Sequence, residues 1–149
     1  MLPRIEYSVT VQVPIEVAFQ AFQDLERLLN RKVYDEISWV EGVPWQVGSR
    51  LRYALVYPTQ TTISSVVAAI HPPRSITLLN HALGVTAEQN VFFGPAPNGG
   101  TLVRMTMDLV GTSTVLSEEA LQSKITFVIK DSLDTMATLC QRRASSATG

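Results

Sequence analysis

The chain opens on a strict alternation. Ile5, Tyr7, Val9, Val11 and Val13 fall on one side, and Glu6, Ser8, Thr10 and Gln12 on the other. Period two over such a stretch is the signature of a strand with one buried face. Pro14 stops it, because proline has no N–H for a ladder yet fits the start of a helix. Ile15, Ala18, Phe19, Phe22 and Leu25 then recur at helical spacing and form one apolar stripe. A second short helix is expected across Glu26 to Asp35.

After Gly42-Val43-Pro44 the period returns to two. Leu51, Tyr53, Leu55 and Tyr57 share a face, opposite Arg50, Arg52, Ala54 and Val56. Pro58-Thr59-Gln60 is a turn, and Thr61 to His71 is a strand rich in β-branched residues whose two faces both look apolar. His71-Pro72-Pro73-Arg74 turns the chain into a strand from Ser75 to His81; Gly84 breaks or bulges the sheet before Thr86 to Phe93. The loop from Gly94 to Gly100 reads as a hairpin, with Asn98-Gly99-Gly100 supplying positive φ without strain. Thr101, Val103, Met105, Met107 and Leu109 then face one way along a last strand. Ser117 is a good N-cap with two acids behind it, and from there to about Arg143 no Gly or Pro interrupts. That gives a helix of roughly 25 residues, about 40 Å long. Strands following strands, closed by one long amphipathic helix, predict an antiparallel α+β domain. One domain covers 1–149, ordered from about 4 to 143, with a loose tail over 144–149.

Composition narrows the function classes. The 149 residues are 46% hydrophobic and 17% charged, against roughly 25% charged in an average domain. A disordered polyelectrolyte is excluded. So is a spanning helix, which needs about 20 apolar residues; the longest apolar run is Val66 to Ile70. A net charge of -1 without a basic cluster beyond Arg50 with Arg52 and Arg142 with Arg143 speaks against nucleic acid. The single Cys140 precludes an internal disulfide and reads as a packing thiol, and no metal-ligand spacing occurs. The start lacks the charged and apolar regions of a signal peptide, so a cytoplasmic location is expected.

Four short motifs in this order carry a resemblance. Val13-Pro14-Ile15-Glu16-Val17-Ala18-Phe19-Gln20-Ala21-Phe22-Gln23-Asp24 is similar to a strand-to-helix opening, and Val47-Gly48-Ser49-Arg50-Leu51-Arg52 to a strand start. His71-Pro72-Pro73-Arg74 looks like a paired-proline turn and Asn98-Gly99-Gly100-Thr101-Leu102-Val103 like a hairpin. Together they resemble the helix-grip superfamily (SRPBCC) of START lipid-transfer domains, birch-pollen-allergen-like proteins and polyketide cyclases. The resemblance runs from about Arg4 to Arg143; Val13 replaces the small polar cap often found before the first-helix proline. It implies a curved seven-stranded antiparallel sheet around the C-terminal helix, two short helices after the first strand, and a cavity between sheet and helix. It also implies a lipid, polyketide or aromatic metabolite in that cavity, no cofactor, and, in a minority of members, cyclisation, dehydration or hydrolysis.

On such a fold, Tyr53, Tyr57, Phe92, Met105, Met107 and Phe127 are the expected ligand-binding set. Tyrosine joins an apolar body to a polar tip, and methionine fills irregular space. His81 is the candidate acid–base group, expected within reach of Glu88 across a hairpin at Gly84. His71 reads as a turn residue, and Asp24, Glu41 and Glu88 are scattered acids rather than a paired-carboxylate site. Nucleophile-elbow and phosphate-loop motifs are absent from the sequence. Binding or carriage of a small hydrophobic molecule is the preferred reading, and a cyclase, dehydratase or hydrolase using His81 or a pocket tyrosine is the second. A protein-interaction module is the third, and a homodimer stays open.

Overall fold

The opening alternation forms β1 (Ile5–Val11), and Pro14 caps α1 (Ile15–Gln23), its carbonyl accepting from the N–H groups of Val17 and Ala18 at 3.0 and 3.1 Å. The computed structural model describes residues 4–24, 30–111, 113 and 116–148, with side chains through 144. Of the second helix expected over Glu26–Asp35, residues 26–29 lie outside the described residues, and the remainder needs correction. Arg31 to Val33 form a turn, and Tyr34 already belongs to β2 (Tyr34–Glu41). The Asn30 side-chain oxygen accepts from the Lys32 N–H at 3.0 Å and its carbonyl from Val33 and Tyr34, which closes the turn that leads into β2. Tyr34, Ile37 and Trp39 then pair with Leu55, Tyr53 and Leu51.

The remaining strands are β3 (Arg50–Leu55), β4 (Thr61–His71), β5 (Ser75–Ala82), β6 (Val85–Pro95) and β7 (Thr101–Val110). They form one antiparallel sheet in the order β1-β7-β6-β5-β4-β3-β2. Six consecutive strands therefore make a meander, and the first strand closes its far edge against the last. Gly84 is neither break nor bulge. Ala82 pairs with Val85, so Leu83 (φ 54) and Gly84 (φ 79) make a two-residue turn of the kind that matches strand twist. In the loop before β7, Asn98 and Gly99 take positive φ as expected; Gly100 does not, and a Cβ there would press into the Val11 carbonyl.

In β4 the register slips between Val67 and Ala69. Ile63, Ser65 and Val67 point to the concave face before that bulge and Ile70 after it, which is why both alternations of this strand look apolar.

The last helix, α2 (Glu118–Thr148), starts at the expected cap, with the Ala120 N–H donating to Ser117 Oγ at 3.2 Å. It runs past the expected end at Arg143 into the stretch read from sequence as a tail. Its C-terminal half is locked down. Leu133, Met136, Leu139 and Cys140 are buried with Phe19, Phe22, Phe93 and Val103. Phe19 and Phe22 meet Phe93 edge-on at ring separations of 5.1 and 6.2 Å. Two polar ties flank this core: Tyr7 donates to Asp134 at 3.0 Å, and Arg143 pairs with Asp24 at 2.8 Å.

Leu133 has no exposed surface at this junction. Leu133→Ala is expected to destabilise the fold by about 2–5 kcal/mol in urea unfolding. Phe127→Ala, on an exposed flank of the same helix, should cost well under half of that.

Candidate functional site

The N-terminal half of α2 stands away from the sheet. Between them lies a cavity of about 150 Å³, roughly ten times what a single water needs. The sheet contributes Tyr53, Leu55, Thr61, Ile63, Leu78, Asn80, Ala87, Gln89 and Met107, and the helix contributes Leu121, Lys124, Ile125, Val128 and Ser132. Phe22 and Trp45 wall the deep end, where Trp45 Nε1 donates to the Gln23 carbonyl at 3.0 Å and its ring packs on Phe22. At the opposite end the cavity reaches the β3–β4 turn at Thr59 and the β5–β6 turn at Leu83. Both turns are tied to neighbouring chain. Lys124 Nζ donates to the Pro58 carbonyl at 3.0 Å, and Ser113 Oγ to that of Leu83 at 2.9 Å.

A polar seam crosses this apolar floor, one residue from each of four adjacent strands. Tyr53 on β3 lies beside Ser65 on β4, which opposes the upward shift of its phenol, and Ser65 Oγ donates to Asn80 Oδ1 on β5. Asn80 Nδ2 donates in turn to Gln89 Oε1 on β6 at 2.8 Å. At one side Tyr34 OH lies 3.4 Å from Ser132 Oγ of the helix. Burial pushes the Tyr34 phenol up to about 12, with Ser132 opposing and Asp131 adding to the shift. Burial raises Tyr53 further. Asp131 itself is raised by burial and held by Asn30 Nδ2 at 2.6 Å. Among the described residues, the titratable groups lining the cavity are Tyr34, Tyr53 and Lys124, and no cluster suited to a metal ion occurs.

The structure separates the residues singled out from sequence. Tyr53 and Met107 line the cavity; Met105 shares their face of the sheet and is fully buried beside Gln89. Tyr57 does not follow Tyr53 inward, because β3 ends at Leu55 and the ring turns out, 54% exposed, onto Phe127 at 5.1 Å. Phe127 itself rides the flank of α2, since Ile125, Val128 and Ile129 occupy its inner side. Phe92 also points away: Val91 and Phe93 are the buried pair, and Phe92 lies outside under the Arg104 guanidinium at 4.9 Å.

His81 is on the outer face as well, because its neighbours Asn80 and Ala82 take the inward positions of β5. Its Nδ1 meets Thr86 Oγ1 at 3.0 Å, the residue directly across the hairpin. Glu88 pairs with Leu79 and bonds Asn90, so the His81–Glu88 pair does not form. Cys140 is buried, as its setting suggested, and burial raises its thiol.

Sequence reasoning missed Tyr34, Ser65, Asn80, Gln89 and Ser132. A usable signal did exist for two of them. Asn80 and Gln89 are polar residues in phase with Leu78, Ala87 and Val91, on the apolar side of an alternation.

Both cavity phenols hold their protons to higher pH than the unfolded chain, whose tyrosines ionise near about 10. The stability they contribute is full below that pH and is lost as pH rises through about 12 for Tyr34. Phenolate absorbance should show Tyr34 and Tyr53 ionising above the ordinary range or together with unfolding, with Tyr7 also raised by its hydrogen bond to Asp134. Tyr53→Phe should shrink the loss of urea resistance between about pH 9 and about pH 11.

No protein-family model matches the chain, and no curated protein matches it in sequence. Solved structures do match in shape. The Zhui aromatase/cyclase of Streptomyces sp. R1128 superposes with a TM-score of 0.78 at 17% identity, over 99% of this chain and 98% of that one. Ara h 8.0201 gives 0.75 at 13% identity, covering 94% and 98%. TTHA0849 from Thermus thermophilus gives 0.74 at 15% identity, covering 95% and 99%. No helix among the described residues is long and apolar enough to cross a membrane. A curved seven-stranded antiparallel sheet gripping one long C-terminal helix is common to all these chains, and this protein has the helix-grip fold.

Proposed function

We propose that this protein binds a small, largely apolar molecule in the cavity between the sheet and α2. The observation that carries the reading is the cavity itself, about 150 Å³ of space walled mainly by Leu, Ile, Val, Ala, Phe and Met side chains. A concave, mostly apolar site with a few placed polar groups is the usual form of a small-molecule site. The seam of Tyr53, Asn80 and Gln89 would orient the ligand, and Met107 would adapt to its outline. The unfilled interior weighs against a protein-interaction module in which the fold is only a scaffold.

A cyclase-type activity is the second reading, and the cavity phenols favour it. Tyr34 and Tyr53 stay protonated through neutral pH, so each can donate a hydrogen bond to an oxygen that gains charge. In this reading His81, on the far side of the sheet, has no part in the chemistry.

Ala87 lines the cavity, and a larger side chain there would occupy it. The uncharged fluorophore N-phenyl-1-naphthylamine is expected to bind one per chain with enhanced emission. Ala87→Phe should weaken that binding about tenfold or more while the protein stays folded. Unchanged binding in Ala87→Phe would place the probe on the surface and remove the basis of the proposal.

A further inference from the structure

The polar seam ends on poor partners. Gln89 Nε2 donates to Met105 Sδ at 3.2 Å, and Asn80 Nδ2 has Met107 Sδ at 3.9 Å besides its bond to Gln89. A thioether is a weak acceptor. A buried amide N–H without a strong acceptor retains much of its desolvation penalty. Asn80 and Gln89 nevertheless line the cavity beside Ala87, Leu78 and Met107.

Their orientation is imposed from behind. Asn80 Oδ1 accepts from Ser65, which turns Nδ2 toward β6, and Gln89 Oε1 accepts from Asn80, which leaves Nε2 facing only the Met105 sulfur. Because Asn80 bonds to the amide oxygen of Gln89 itself, the two nitrogens are separated by one hydrogen bond and one amide width. The two amide groups therefore adjoin on the cavity wall.

We propose that Asn80 and Gln89 form a two-donor clamp for a carbonyl oxygen, so that the ligand of this cavity is an apolar molecule bearing a ketone, ester or amide group. The clamp rests on the ligand-binding reading above and specifies its chemistry. Bound carbonyl oxygen takes over from the weak sulfur acceptors, and Met107, which lines the cavity, packs against the apolar body. A pure hydrocarbon leaves the donors as they are.

The test uses acetophenone and its hydrocarbon counterpart α-methylstyrene, measured by displacement of N-phenyl-1-naphthylamine. Gln89→Met keeps the side-chain length and removes the donor. It is expected to weaken acetophenone about tenfold and to leave α-methylstyrene within about twofold, the difference one hydrogen bond supplies. The infrared carbonyl band of bound acetophenone should lie lower in the wild type than in Gln89→Met. Met105→Leu removes only the sulfur and should hold or improve acetophenone binding; it also serves if Gln89→Met does not fold. Equal changes for both ligands in Gln89→Met, or loss of acetophenone alone in Met105→Leu, overturns the clamp. If the wild type takes the fluorophore but not acetophenone, the clamp fails and the cavity reading stands. If it takes none of the three, both fail.

Discussion

The structure depends on how α2 is fastened. A single straight helix cannot follow a curved sheet along its whole length, so it can pack tightly at one end only. Here the tight end is C-terminal. Leu133, Met136, Leu139 and Cys140 bury against Phe19, Phe22, Phe93 and Val103, and Tyr7–Asp134 and Arg143–Asp24 hold the flanks. The aromatic cluster from α1 and β6 acts as the fulcrum. N-terminal to it, from Leu121 to Ser132, the helix spans the sheet with Lys124 tied to the Pro58 carbonyl, and the cavity is the space beneath.

The same fastening explains why the polar groups fall where they do. Near the fulcrum the interior is apolar and filled, with Val67, Ile76, Val91 and Met105 fully enclosed. Further out, the floor bears Tyr53 and the chain Ser65, Asn80 and Gln89, whose hydrogen bonds run from strand to strand. Such a chain satisfies most of its own polar atoms, so its burial is tolerable. It closes less well at the β7 edge, where sulfur stands in for oxygen. The seam is thus internally bonded except at its end.

The outer face of the sheet tells a different story. Arg104 over Phe92, Arg4 with Asp108, and His81 with Thr86 are exposed pairings that cover strand surface without enclosing anything. Exposed ion pairs of this kind add little to stability. Phe92 and His81, both singled out in sequence, are spent on this face, whereas Phe22, Tyr34, Trp45 and Tyr53 line the cavity.

Period-two alternation in β1, β3 and β7, helical spacing in α1 and α2, and the Ser117 cap were determined by the sequence itself, because each depends on neighbours a few residues away. Hence the fold, and the inward placement of Tyr53, Met105 and Met107, could be read directly. Three things waited on tertiary structure. Residue Tyr57 faces out because β3 stops at Leu55; the mixed face of β4 resolves only through the bulge at Val67/Ala69; and β2 owes its strand state to pairing with β3. Asn80 and Gln89 belong with these. Their polarity marks them as surface residues until Ser65 and each other supply the hydrogen bonds that let them be buried. The alternation puts both in phase with Leu78, Ala87 and Val91, but only a partner distant in sequence makes a polar residue acceptable there.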